Sequence, residues 1–190
     1  MPRMSEAEKR KSHKRILEKA GEIFRQRGVE TTSVSDVMQA AGLTHGGFYR
    51  HFKSKDELVA AAFKTAVDDV LNGMEAADSE EQKAAARRDY IATYLSLCHV
   101  GSRKDGCPLA ALAGDLNRGA PDARREGHDA LRRTATQLTP GDDPAQGVAT
   151  LALMLGTVTL ARLADEDSNA QALLDAGQRG VELIQNDWPE

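Results

Sequence analysis

Between Thr44 and Lys55 the chain reads Thr-His-Gly-Gly-Phe-Tyr-Arg-His-Phe-Lys-Ser-Lys, which brings imidazole, phenol, guanidinium and ammonium groups together beside two adjacent glycines. Gly46 and Gly47 each cost a helix about 1 kcal/mol relative to Ala, so close approach of a partner's backbone is the reading for them. Residues 1–60 hold 12 Lys/Arg against 8 Asp/Glu, a balance of +4, while residues 61–190 hold 13 against 21, a balance of −8. A polyanion partner at the N-terminal end fits that asymmetry, with an acidic remainder that weakens adhesion elsewhere. The second chemical candidate is Cys107. It sits in Gly106-Cys107-Pro108 at a helix start, after Arg103-Lys104, and both features lower a thiol pKa. Sensing of an oxidant or electrophile follows as an expectation, with Cys98 or Cys107 of a second copy as the resolving thiol; the plainer reading is a small packing side chain. An enzyme using Cys107 with His99 or His128 as base is the competing class. The chain shows no nucleotide loop, hydrolase elbow or metal-ligand pair at helical spacing. Cys98, His99, Cys107 and His128 form a zinc set by residue type only, because the first two point to different helix faces and the others are distant. No metal or cofactor is expected.

The elements that must hold these groups are helices. The chain carries 29 Ala and 19 Leu against 10 Val and 4 Ile, and no proline interrupts Arg3 to Cys107. Its later prolines, at 108, 121, 140 and 144, read as helix starts. Ile16, Leu17, Ala20, Ile23 and Phe24 mark one face of a helix over Ser5 to Arg27 that Gly28 stops. Thr31, Thr32 or Ser33 caps a short second helix with Val34, Val37, Met38 and Ala41 inward. Gly42 permits a tight turn, and Thr44 caps a third helix over about His45 to Phe52. This helix buries Phe48 and Phe52 and turns His45, Gly46, Tyr49, Arg50 and His51 outward. Ser54 with Glu57 is a capping box opening a helix that includes Leu58 to Ala77, whose N-terminus, near two lysines, attracts anions. Helices over about 80–100, 107–117, 121–138, 144–164 and 168–187 complete an all-α chain of about nine helices. The first few residues and the loops near 101–106 and 139–143 are the candidates for disorder. Two cysteines and no leader predict a reduced, cytoplasmic setting. The apolar run Val148 to Leu163 is shorter than the ~20 residues of a membrane span and contains Arg162, so a buried helix is expected.

The segment from Thr31-Thr32 through Ala40-Ala41-Gly42-Leu43-Thr44 and on through Gly46-Gly47-Phe48-Tyr49-Arg50-His51-Phe52-Lys53-Ser54-Lys55-Asp56-Glu57-Leu58 resembles the DNA-binding signature of the TetR/AcrR repressors. The likeness covers about the first 60 residues. It implies a helix-turn-helix domain over 1–55 and a helical effector-binding and dimerisation domain over 56–190. By the same likeness His45, Gly46 and Arg50 meet base edges of double-stranded operator DNA in the major groove, with Gly47 and His51 alongside. Tyr49, the backbone at Thr44, Lys55, Thr32, Ser33 and Ser35 hold phosphates. Tyr49 is also placed to pack on the first helix. Serine, lysine or arginine is common where this chain has His45, so its base contact is not carried over.

One short recognition helix reads few base pairs, so a homodimer on a palindromic operator is expected. Leu151, Leu155, Val158 and Arg162, with Leu173, Gly177, Gly180, Val181 and Ile184, are the expected interface of the last two helices. The resemblance further implies a small-molecule effector of unspecified identity among Phe63, Met74, Tyr90, Tyr94, Cys98, Cys107, Leu109, Leu112, Leu116, His128 and Met154, most of which also read as ordinary core. A repressor released by such an effector is the leading function. A helical adaptor whose closing helices bind another protein is the third class.

Overall fold

A computed structural model describes residues 5–189, and the expectation of disorder before Ser5 lies outside them. Among these residues there are nine α-helices, one 3-10 helix and no strand. The N-terminal unit comprises α1 (Glu6–Arg27), α2 (Val34–Ala40) and the 3-10 helix His45–Arg50. Ser5 caps α1 in a reciprocal box with Glu8, and Gly28 ends it at φ 84°. Ser33 caps α2 in the same way with Asp36, and Gly42, at φ 66°, makes the turn that follows. Ile16, Ala20, Phe24, Val37, Met38, Phe48 and Phe52 all bury in this unit.

The rest of the chain is α3 (Lys55–Glu75), α4 (Glu80–Tyr94), α5 (Leu97–Gly101), α6 (Pro108–Arg118), α7 (Pro121–Leu138), α8 (Pro144–Ala161) and α9 (Asp167–Asn186). α3 packs on α1 at one side and α7 on the other, and α7, α8 and α9 stack in sequence. Arg133 fastens α7 to α3 by pairing with Glu75 at 2.9 Å and Asp68 at 2.7 Å.

Two expectations give way. The helix expected over 80–100 breaks at Leu95, which turns into the core while Ser96 caps α5 by accepting from the His99 amide. Pro108, Pro121 and Pro144 do begin helices, but Pro140 lies in the α7–α8 loop, four residues before α8 begins. The helix α8 is long and apolar enough for a membrane crossing by composition, yet α7 and α9 pack on it and 44% of it is buried.

Candidate nucleic-acid interface

The short 3-10 helix stands on its two phenylalanines. Phe48 and Phe52 lie with ring centroids 5.7 Å apart beneath the surface, and the alternate side chains are therefore forced outward. His45, Gly46 and Arg50 are exposed. Tyr49 is 70% exposed, standing edge-on to Phe48 and His45 rather than sinking into the core. A side chain added at Gly46 would meet nothing within 4 Å, so the chain's own packing does not demand glycine there. Gly47 is half-buried and near Met38 and Thr44, behind the exposed row. Thr44 occupies the N-cap position, but its hydroxyl makes no capping bond.

Several phosphate ligands expected from the sequence are otherwise engaged. Thr32 is buried and its hydroxyl donates to the Gly28 carbonyl at 2.8 Å, so its side chain closes the α1–α2 connection instead. Lys55 is half-buried, and its ammonium donates to the Val29 carbonyl at 2.6 Å; it ties the start of α3 to the same connection. Ser33 is exposed but gives its hydroxyl to Asp36 at 2.6 Å, and that carboxylate already occupies the positive end of α2. Ser35 remains exposed. The Ser54 hydroxyl accepts from the Glu57 amide, while Glu57 reaches one residue further than a capping box requires and accepts from the Lys53 amide at 2.6 Å.

His51 is half-buried rather than outward. Its Nδ1 is enclosed without a hydrogen-bond partner among the described residues, and its ring centroid lies 5.7 Å from that of His13, which stacks on Phe52. Burial first, then the charges of His13, Lys9 and Arg50, hold its pKa below the ordinary imidazole value. This contact exposes what the sequence reading missed: Lys9, Arg10 and Lys14 of α1 line a groove of about 420 Å³ with Arg50 and His51. Lys53 is exposed at the junction into α3. The local basic excess carried that signal, but the helical turn of α1 was needed to show which lysines share a wall with Arg50.

Away from this unit, Tyr90, Tyr94, Cys98 and Cys107 come together around a cavity of about 360 Å³. Phe63, Met74, Leu109, Leu112, Leu116 and Met154 do not line it; they are buried core. His128 is exposed on α7 and away from the cavity. Cys107 contradicts the expectation of an activated thiol. Burial pushes it up, outweighing the lowering by the Ala110 and Leu109 amides and the Tyr94 hydroxyl. The basic pair before it is turned elsewhere: Arg103 is exposed, and Lys104 pairs with Glu22 at 3.3 Å. His99 is no base for this thiol either. One ring nitrogen faces the Tyr94 carbonyl at 2.7 Å and the other accepts from the Cys107 amide at 3.0 Å.

The expected dimer residues divide in the same way. Leu151, Val158, Gly177 and Val181 are buried within one chain. A side chain at Gly177 would collide with Thr157, and one at Gly180 would come within 2.8 Å of Leu153, so these glycines seat α9 on α8 of the same molecule. Arg162 turns inward, donating to the Val100 and His99 carbonyls at 3.3 Å each. Leu155 and Ile184 are half-buried and Leu173 is exposed. The exposed large apolar side chains of this region are instead Val148, Leu160, Leu173 and Leu183, with Leu163 just past the end of α8; Leu163 is 79% and Leu183 63% exposed.

A family model described as bacterial regulatory proteins, tetR family, matches residues 16–62. The uncharacterized HTH-type transcriptional regulator YfiR of Bacillus subtilis is 30% identical over 111 residues, 58% of this chain and 52% of that relative. The HTH-type transcriptional regulator AcrR of Shigella flexneri is 40% identical over 58 residues, 30% of this chain and 27% of the relative. The chain thus spans about half the length of YfiR, and less of AcrR. Over its whole length the fold is similar to that of a TetR transcriptional regulator from Chloroflexus aurantiacus, with TM-score 0.71, 26% identity and coverage of 93% of this chain and 96% of the other. The reduced form of Escherichia coli NemR gives TM-score 0.72 at 19% identity, covering 92% and 97%.

Proposed function

We propose, from the premise that the chain belongs to the TetR/AcrR family of transcriptional regulators, that it is a repressor that binds a palindromic operator as a homodimer and lets go when a small molecule enters its helical body. The observation that carries this reading is the exposed row His45, Gly46, Tyr49 and Arg50 on a helix pinned from beneath by Phe48 and Phe52, beside the lysines of α1. Base contacts fall to His45, Gly46 and Arg50; phosphate contacts fall to Thr44, Tyr49, Ser35, Lys53 and the α1 groove. We divide the chain at 55/56, just after the first residue of α3. The outward face of α8 and α9 supports the dimer, because two such faces together bury leucines that a single chain leaves in water. A DNA-binding cytoplasmic protein without catalysis is the accompanying reading.

Titration of the purified chain against a duplex from upstream of its own gene tests the proposal. Sequence-selective binding that weakens steeply between low and moderate salt supports it. A chain that treats this duplex and a scrambled one alike at every ionic strength refutes it.

A further inference from the structure

We propose that the cavity walled by α4, α5 and the 102–107 segment takes a small, uncharged, largely apolar molecule carrying one hydrogen-bond-accepting oxygen, and that the Tyr94 hydroxyl selects it. The proposal rests on the regulator reading above and names the chemistry of its effector. Its walls are mostly carbon and aromatic: Val70, Tyr90, Tyr94 and Cys107 form the floor, and no Lys or Arg is among the lining residues. At about 360 Å³ the cavity sits at the low end of the ~300–1,000 Å³ range of small-molecule sites, with room for a substituted aromatic ring.

Charge is disfavoured in both directions. An anion finds no cation in the walls. His99 has both ring nitrogens committed, and burial first, with Arg162 nearby, lowers its pKa and keeps it neutral. A cation finds only Asp105, an exposed carboxylate at the rim that already faces the Arg25 guanidinium. Among the lining groups, one polar atom is both enclosed and unpartnered. Tyr94 is 3% exposed, and its hydroxyl is enclosed without a hydrogen-bond partner among the described residues. The phenolic proton faces the Cys107 sulfur, a weak acceptor that a carbonyl or ether oxygen outcompetes. A buried donor left unmade is costly, and an entering carbonyl or ether oxygen removes that cost. Tyr94 is therefore the specificity residue, while the apolar walls supply most of the affinity.

Calorimetry of the full-length chain without DNA tests this with four probes of one shape class: acetophenone, ethylbenzene, benzoate and benzylamine. Acetophenone is expected to bind about tenfold more tightly than ethylbenzene, with benzoate and benzylamine weaker than both. Tyr94→Phe is expected to bring acetophenone down to the ethylbenzene level while leaving cooperative melting and duplex binding intact. Cys98→Trp, at an exposed wall position, is expected to abolish binding of both neutral probes. Three results overturn the proposal: no neutral probe binds, a charged probe binds as tightly as acetophenone, or Tyr94→Phe keeps the preference. Duplex binding by the ligand-free chain is read separately, so failure of the cavity assignment leaves the regulator reading standing, and the reverse.

Discussion

The side chains of the N-terminal unit separate into those left exposed and those that hold the unit in shape, and similar residue types fall on both sides. Lys53 and Lys55 are two residues apart, yet Lys53 is exposed while Lys55 spends its ammonium on the Val29 carbonyl. Lys53→Met is expected to reduce the slope of log affinity against log salt by about one, with melting unchanged. Lys55→Met is expected to leave that slope nearly unchanged and to destabilise the fold by about 1–3 kcal/mol, because the Val29 carbonyl loses a charge-assisted donor. Salt titration and thermal melting of both variants check the pair. His45→Ala is expected to cost about 1–3 kcal/mol of duplex affinity and to relax preference at one base position, seen by titrating single-base variants of the site. That His45, Gly46, Tyr49 and Arg50 stand exposed over buried Phe48 and Phe52 was legible in the sequence at this scale. The commitment of Lys55 was not, because a backbone carbonyl in a loop 26 positions away leaves no mark on the residue that will donate to it.

Among the elements, helix identities and most boundaries followed from caps, glycines and prolines. The break at Leu95 escaped because Ser96 looks like a helix-interior serine until its hydroxyl is seen to accept from His99. The face of α8 escaped for a different reason. A helix apolar on nearly every side has no periodicity to say which stripe a neighbour covers, so Leu151 and Val158 looked as available as Val148 and Leu160. Small residues also close the α8–α9 contact: Gly177→Ala is expected to destabilise by about 1–3 kcal/mol through overpacking against Thr157, measured as a lowered denaturation midpoint. Where α1 meets the 3-10 helix, His51 is held below its unfolded value by burial, so the folded chain binds fewer protons there than the unfolded chain. Stability from this site is complete above about pH 6.5 and is lost as pH falls from there through the lowered folded value. Thermal melting across pH 7.5 to 5 is expected to show that decline, less steep in His51→Gln.

For the whole molecule, a second copy is what the outward leucines of α8 and α9 call for. Leu160→Glu combined with Leu183→Glu is expected to give a folded chain of monomer mass in sedimentation, with duplex affinity lowered at least tenfold, since one short recognition element is then working alone. The division of charge, basic in the first 60 residues and acidic after them, gives such a dimer one adhesive end. Between that end and the cavity runs the 102–107 segment, which walls the cavity on one side and on the other accepts a 2.6 Å hydrogen bond from the Arg25 Nε at the Lys104 carbonyl. The acceptor is main chain, so any residue type at 104 keeps that bond, although it gives up the ammonium's pair with Glu22. A library randomised at 104 would thus lose the outer ion pair and spare the latch beneath it, whereas changing 25 alone would open the latch.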